Sequence, residues 1–134
     1  MIELAARSIG GLCSRALRFL DGMSLEEVVL ANALGRDVSP RRVDRAVGVL
    51  MLPVEQPGVL RGVEGKREAA AVDGITGLSI TISAGEVITP LPLGDRYLGF
   101  IFAEGDTCEN VCASLRTARS KLNVVIERSK ELIT

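Results

Sequence analysis

Apolar and polar positions follow strand or helix periodicities over most of the chain. Residues 78–82 alternate strictly, with Leu78, Ile80 and Ile82 on one face, which predicts a half-buried strand. The continuous apolar run at 46–52 predicts a buried strand. Further strands are predicted at residues 1–6, 59–62, 97–103 and 123–127.

Two predicted helices carry clear start signals. Ser24 precedes an apolar stripe, and Glu27 follows three residues later, which is the spacing of a capping box. Gly35 is a natural helix stop. Thr107 precedes a longer helix whose apolar residues recur at helical spacing. Those residues are Val111, Leu115, Ala118 and Leu122. Two further helices are expected, at residues 11–20 and 64–72.

The order of these elements indicates the fold class. From residue 58 the order is β-α-β-β-α-β, so we expect an α+β fold, mainly an antiparallel sheet with flanking helices. That order is compatible with a ferredoxin-like arrangement in the C-terminal two-thirds of the chain. Residues 36–45, rich in arginine and aspartate, are interpreted as an exposed connector between the first helices and this region.

Composition narrows the possible chemistry. The chain has 134 residues, 47% hydrophobic and 25% charged, which is typical of one folded domain. The net charge of −1 offers no basic excess, which disfavours a nucleic-acid partner. There is no histidine, so the commonest general base and metal ligand is missing. Any chemistry must use carboxylates, arginine, lysine, backbone amides or a hard cation.

The cysteines indicate the compartment. An odd count of three and the lack of a secretory leader favour a reducing cytoplasm. No stretch is long and apolar enough to span a bilayer, so no membrane association is expected. Cys108 and Cys112 lie four residues apart, and we interpret them as small buried or semi-buried residues rather than metal ligands.

Phosphoryl chemistry is suggested by the N-terminal segment. On a strand, Glu3, Ala5 and Arg7 project to one face, and Gly10 and Gly11 follow at a strand-to-helix turn. A carboxylate can hold Mg²⁺ between phosphate oxygens, and a guanidinium can neutralise a transferring phosphoryl group. The alternative is an edge strand with a local Glu–Arg pair, which contributes little in solvent.

This segment resembles a known family. The run Glu3-Leu4-Ala5-Ala6-Arg7 is similar to the strand of ATP-grasp enzymes that reads Glu-x-Asn-x-Arg. The longer runs 2–19 and 94–107 resemble the branch that includes L-amino-acid ligases. The resemblance covers nearly the whole chain, and the two long runs occur in the correct order.

The resemblance implies roles for particular residues. Glu3 would be a Mg²⁺ ligand, and Arg7 would contact the phosphoryl group or the tetrahedral adduct. Gly10 and Gly11 would shape the loop on the substrate side. Members of the family join a carboxylate to an amine through an acyl phosphate and release ADP. Residues 1–45 would end the ATP-grasp catalytic region, and residues 46–134 would form a C-terminal α+β domain.

Two departures from the family pattern qualify this expectation. Ala5 stands where many members carry an Asn that contacts the metal. The family's ATP site, with its lysines and glycine-rich loop, is built from upstream subdomains, whereas Lys66, Lys121 and Lys130 all lie in the C-terminal region. We therefore expect an excised fragment or one half of a split enzyme, inactive alone, which uses ATP and Mg²⁺ only with upstream domains as partners.

Other interpretations remain open at this stage. The chain could be a non-catalytic module of ferredoxin-like shape that binds a small molecule or forms a homodimer by strand-edge pairing. The acidic residues near Thr107 either bind a cation or complement the helix dipole. Those residues are Glu104, Asp106 and Glu109.

Overall fold

The computed structural model describes residues 10, 12–17, 19 and 22–128. The strand expected at residues 1–6 lies outside these ranges. A 3₁₀ turn at Cys13–Ala16 is followed by helices α1 (Leu25–Ala33), α2 (Lys66–Ala70) and α3 (Cys108–Lys121). The strands are β1 (Ala46–Leu52), β2 (Gly58–Glu64), β3 (Ile75–Ile80), β4 (Val87–Ile88), β5 (Gly99–Gly105) and β6 (Asn123–Glu127).

The strands of the described residues form two antiparallel sheets of three strands each. The first sheet has the order β1-β5-β3 and the second has the order β4-β2-β6. Strand β1 pairs with β5 over its whole length, from Ala46 opposite Gly105 to Leu52 opposite Gly99. The expected α+β class with a mainly antiparallel arrangement and flanking helices is confirmed.

The ferredoxin-like topology is not what forms. A ferredoxin-like arrangement would join the strands after residue 58 in one sheet, but here they are divided between two. The reason is that β5 pairs with β1 on one side and β3 on the other, which leaves β2 to pair with β4 and β6. Strand β4, only two residues long, lies in a segment that was expected to be a loop.

One face of the first sheet packs against α3 and forms the core. Because side chains alternate along a strand, Gly48 on β1 and its partner Ala103 on β5 face the same side. A methyl group added to Gly48 would lie 2.6 Å from Cγ1 of Val111, so glycine allows α3 to lie close to the sheet. The least exposed large core side chains are Leu52, Leu60 and Ile101.

Helix α3 matches the prediction closely. The hydroxyl of Thr107 accepts a hydrogen bond from the Asn110 amide at 3.2 Å and caps the helix. The buried residues of the helix are Val111, Leu115 and Ala118, and Leu122 at its C-terminal end is also buried.

Helix α1 also begins and ends as predicted. The Glu27 amide donates to Oγ of Ser24 at 3.2 Å, and the Ser24 amide donates to Oε2 of Glu27 at 2.7 Å, which completes the capping box. Gly35 has a φ of +67°. Its amide donates to Asn32 O, and the Arg36 amide donates to Ala31 O, which is a Schellman ending.

Two expectations for local structure were wrong. A helix was expected at residues 11–20, but the described part contains only the 3₁₀ turn. Leu17 is extended after it, and Phe19 forms an isolated antiparallel bridge with Arg42. Strand β1, expected to be buried, lies at the edge of its sheet, and most of its positions are only half-buried. An apolar run alone does not distinguish a central strand from an edge strand.

Candidate functional site

Most of the predicted catalytic residues lie outside the described residues. This is so for Glu3, Arg7 and Gly11. Gly10 is described as an exposed turn residue whose carbonyl accepts a hydrogen bond from the Cys13 amide at 3.3 Å. The roles assigned to these four residues therefore remain predictions.

The 3₁₀ turn is the described continuation of that predicted segment, and it lies against β1. Between the turn and the face of the first sheet opposite α3 is a cavity of about 400 Å³. Val47 and Phe102 are apolar residues of its wall, and Arg15, Ser79 and Glu104 are polar ones. We call this cavity, together with the neighbouring one described next, the sheet-face groove.

The neighbouring cavity, of about 350 Å³, shares Val47 and Glu104 with the first. Phe19, Arg42 and Arg45 also line it. The connector at residues 36–45 was expected to be exposed, and most of its residues are. Two of its four arginines, Arg42 and Arg45, nevertheless line the groove.

The groove contains a network of opposite charges around Arg45. Its guanidinium lies 3.6 Å from Oε1 of Glu104 and 3.6 Å from Oδ1 of Asp106. Arg15 and Arg42 add positive charge to the walls of the groove. A groove with an apolar floor and several guanidinium groups can hold an anionic or amphipathic group, or pack against another protein surface.

The acidic residues near Thr107 do not form a metal site. The described residues contain no group of three or more His, Cys, Asp or Glu side chains placed to hold a metal ion. Glu104 and Asp106 pair with Arg45 instead, and Glu109 lies in the first turn of α3. Only the position of Glu109 agrees with the helix-dipole alternative for these acids.

The interpretation of Cys108 and Cys112 as buried or semi-buried residues was wrong, because both are exposed. They lie one turn apart on α3, and the helix turns its other face towards the sheet. Helical spacing places two residues on one face but does not say which face is buried.

An ion pair positions the loop before β5. Nη2 of Arg96 lies 2.5 Å from Oε2 of Glu86. A hydrogen bond from the Ser83 amide, followed by the Arg96 guanidinium, lowers the pKa of Glu86.

A further hydrogen bond connects the 3₁₀ turn to α1. The Ser14 hydroxyl, followed by the backbone amide of Glu26, lowers the pKa of Glu26, and the nearby charge of Arg15 acts in the same direction. The turn that carries Arg15 into the groove is thus attached to the start of α1. No periodicity in the sequence could have indicated this contact, because it joins the 3₁₀ turn to a separate helix.

Sequence patterns did not single out the sheet-face groove. Ser79 was noted only as a polar position on a strand face, and Arg15 only as a polar residue of an expected helix. The groove forms because β1, β3 and β5 bring Val47, Ser79 and Phe102 onto one face.

In the part of the chain that the structure describes, no helix is both long enough and apolar enough to cross a membrane.

The described residues form a small α+β domain with a groove on one sheet face. The family described as L-amino acid ligase C-terminal domain 2 matches residues 50–127, so the chain belongs to this family. The match contains α2 and α3 and all strands from β2 to β6.

A solved structure supports the fold. The crystal structure of L-amino acid ligase from Bacillus licheniformis is similar to this chain, with a TM-score of 0.64 and 23% sequence identity. The similarity covers 80% of this chain and 27% of that chain. At this identity the likeness shows the fold alone, and the chain spans about a quarter of that ligase. None of the curated proteins matches the chain significantly.

Proposed function

We propose that this chain is the C-terminal part of an ATP-dependent ligase that joins a carboxylate to an amine, and that it acts only together with upstream ATP-grasp domains. The observation that carries the proposal is the family match over residues 50–127. The proposed division places the end of the catalytic region at residues 1–45 and the C-terminal domain at 46–134. The sheet-face groove, which Arg15 and Val47 both line, then lies at the interface between these two parts.

The proposed chemistry depends on the N-terminal segment. Glu3 would bind Mg²⁺, because a carboxylate is a hard oxygen ligand suited to this ion. Arg7 would neutralise the charge of the acyl phosphate or the tetrahedral adduct. Gly10 and Gly11 would let the backbone lie close to the substrate. ATP and Mg²⁺ are thus proposed as cofactors of the assembled enzyme, with small carboxylates and amines as substrates.

The exposed apolar residues of α1 support a partner for this region. Val29 is 57% exposed, Leu30 62% and Leu34, directly after the helix, 69%. Neighbouring apolar side chains exposed in this way are typical of an interaction surface. We propose that α1 buries them against the upstream domains of the ligase.

The test begins with the DNA that precedes the codon for Met1. An in-frame continuation, or an adjacent gene, should encode the lysines and the glycine-rich loop of an ATP-grasp site. The chain is then produced with that upstream part, and ADP release is measured with amino acids as substrates. We expect Glu3→Gln and Arg7→Lys each to lower the rate by about 100-fold or more, because lysine does not reproduce a guanidinium fork.

Arg96→Lys serves as the matched control. Arg96 pairs with Glu86 and is not among the residues proposed for catalysis, so this variant should keep the parent rate. Circular dichroism should show that all three variants keep the parent melting behaviour. If the Glu3 and Arg7 variants release ADP as fast as the parent, or if the isolated chain ligates alone, the proposal is wrong.

A further inference from the structure

A separate cavity of about 270 Å³ lies where the two sheets meet. We call it the junction cavity. Its walls come from the β1–β2 connection, β4, the residue before β5, the end of α3 and β6, all of which lie within the family-matched residues. Its apolar walls are formed by Val54, Ile88, Leu98, Leu122, Val124 and Ile126.

The apolar walls are rigid parts of the core. Val54 is 6% exposed, Ile88 3% and Leu98 2%, and all three belong to the main hydrophobic cluster. Residues packed to this degree do not rearrange readily, so the floor of the junction cavity is preformed. A preformed concavity with apolar residues in its floor and polar groups around its rim is a common form of small-molecule site.

The rim of the junction cavity carries one positive and one negative group side by side. Nη2 of Arg119, at the end of α3, lies 2.6 Å from Oε1 of Glu55 in the β1–β2 connection. The Arg119 side chain is 30% exposed and that of Glu55 is 61% exposed, so both can be reached from solvent. Because an exposed ion pair contributes little to stability, a ligand can replace it at small cost.

This arrangement selects a ligand by its chemistry. A carboxylate can take a two-point hydrogen bond from the Arg119 guanidinium. An ammonium group can take the place of that guanidinium beside Glu55, and an aliphatic group can enter between the apolar walls. A volume of about 270 Å³ is slightly below the range of about 300–1,000 Å³ for drug-sized ligands, so the ligand is small.

We propose that the junction cavity binds a free α-amino acid with a branched aliphatic side chain. The amino acid's carboxylate pairs with Arg119, its ammonium with Glu55, and its side chain contacts Val54 and Ile126. The site binds the amino acid without a chemical step. Its residues are not those proposed for catalysis, and the inference does not depend on the proposed ligase function.

The experiment titrates L-leucine into the isotopically labelled 134-residue chain, without ATP or upstream domains, and follows amide and methyl signals by NMR. We expect saturable shifts at Leu98, Val124 and Ile126, with a Kd on the order of 1 mM or tighter. Three analogues separate the contributions of the side chain, the ammonium group and the carboxylate of the ligand. Glycine lacks the side chain, 4-methylpentanoate lacks the ammonium, and isopentylamine lacks the carboxylate. Each should bind about tenfold more weakly.

Two variants test the rim. Arg119→Gln and Glu55→Gln should each weaken L-leucine binding by about tenfold, the loss expected for one charge-assisted hydrogen bond. Arg61→Gln is the matched control, because Arg61 pairs with Glu127 across β2 and β6 but does not line the junction cavity. It should bind L-leucine as the parent does. Glu55 lies in an exposed connection, so its variant is expected to fold even if the Arg119 variant does not.

Three outcomes would overturn the inference. The first is no saturable shift at roughly ten times the expected Kd. The second is equal binding of L-leucine, 4-methylpentanoate and isopentylamine, which would show that the rim charges do not recognise the head group. The third is an equal loss in Arg61→Gln and Arg119→Gln, which would trace the effect to general surface charge. None of these outcomes bears on ATP-dependent ligation, which uses other residues.

Discussion

Helices α1 and α3 both begin with a hydroxyl side chain that caps the backbone, yet they bury their apolar residues differently. In α3, Leu115 is 9% exposed and Ala118 is fully buried. In α1, Ala31 is 8% exposed, but Leu30 is 62% exposed. Helix α3 packs on β1 and β5, whereas the main contact of α1 is with the 3₁₀ turn.

The difference teaches that a helical apolar stripe does not identify the surface that covers it. Both stripes predict a helix equally well, because local propensity and capping decide whether a helix forms. Helix α3 lies inside the family-matched residues 50–127 and α1 lies outside them. We therefore expect the two helices to respond differently to equivalent substitutions.

The largest contrast is expected for leucine truncation. Leu115→Ala should lower the free energy of unfolding by about 2–5 kcal/mol, because it leaves a cavity between α3 and the sheet. Leu30→Ala should change it by less than about 0.5 kcal/mol, since the side chain is exposed. Urea denaturation of the two variants measures both values. Equal losses would mean that α1 is as well packed as α3.

A smaller contrast is expected at two glycines with positive φ. Gly65, before α2, has a φ of +75°, and a methyl group there would overlap the carbonyl oxygen of Lys121 at the end of α3. Gly65→Ala should lower the free energy of unfolding by at least about 2 kcal/mol, because the left-handed backbone and the overlap with Lys121 both oppose the alanine side chain. Thermal unfolding followed by circular dichroism checks this.

Gly35 provides the control for that prediction. It has a φ of +67° at the end of α1, but a methyl group there would meet no atom of the described residues within 4 Å. Gly35→Ala should therefore lower the free energy of unfolding by only about 1 kcal/mol, which is the cost of the left-handed conformation for alanine. The loss should affect mainly α1. A larger loss in Gly35→Ala than in Gly65→Ala would contradict the comparison.

The smallest effect concerns pH and α1 alone. Hydrogen bonds from the Ser24 amide and hydroxyl lower the pKa of Glu27. A carboxyl group whose pKa is lower in the folded protein than in the unfolded chain stabilises the folded form. This stabilisation is fully present above the pKa of the unfolded chain, about 4.3 for glutamate, and it is lost as the pH falls through the pKa of the folded form. We expect the backbone NMR shifts of α1 to move towards random-coil values as pH falls below about 4.

Glu27→Gln isolates this contribution. Glutamine can still complete the capping box but does not titrate in this range. The variant should keep only the part of the pH dependence that comes from Glu26, whose pKa Ser14 also lowers. An unchanged pH profile in Glu27→Gln would show that the capping box does not control the stability of α1.

Much of the fold could be predicted from the sequence because its signals are local. The capping residues and apolar stripes located α1 and α3, and the apolar run 46–52 coincides with β1. The helix expected at residues 11–20 was wrong, because Leu17 is extended and Phe19 pairs with Arg42, a residue of another segment. A bridge between two distant segments can override helical propensity only when the folded chain brings those segments together.

The candidate sites were less predictable. Glu3, Arg7, Gly10 and Gly11 were singled out through a motif and a family resemblance, and their roles remain predictions. The groups at the rim of the junction cavity gave no such signal, because Arg119 and Glu55 are 64 positions apart and each alone is an ordinary surface residue.

The sequence by itself determined most of the helices and strands, where α1 and α3 begin, and which face of α3 is apolar. These properties depend on side chains within one or two turns of each other. Only the tertiary structure decided that the strands divide into two sheets, that β1 lies at an edge, and that Arg119 meets Glu55 over an apolar cavity. Those outcomes depend on which distant segments pair, and the pairing is selected by the packing of the whole chain.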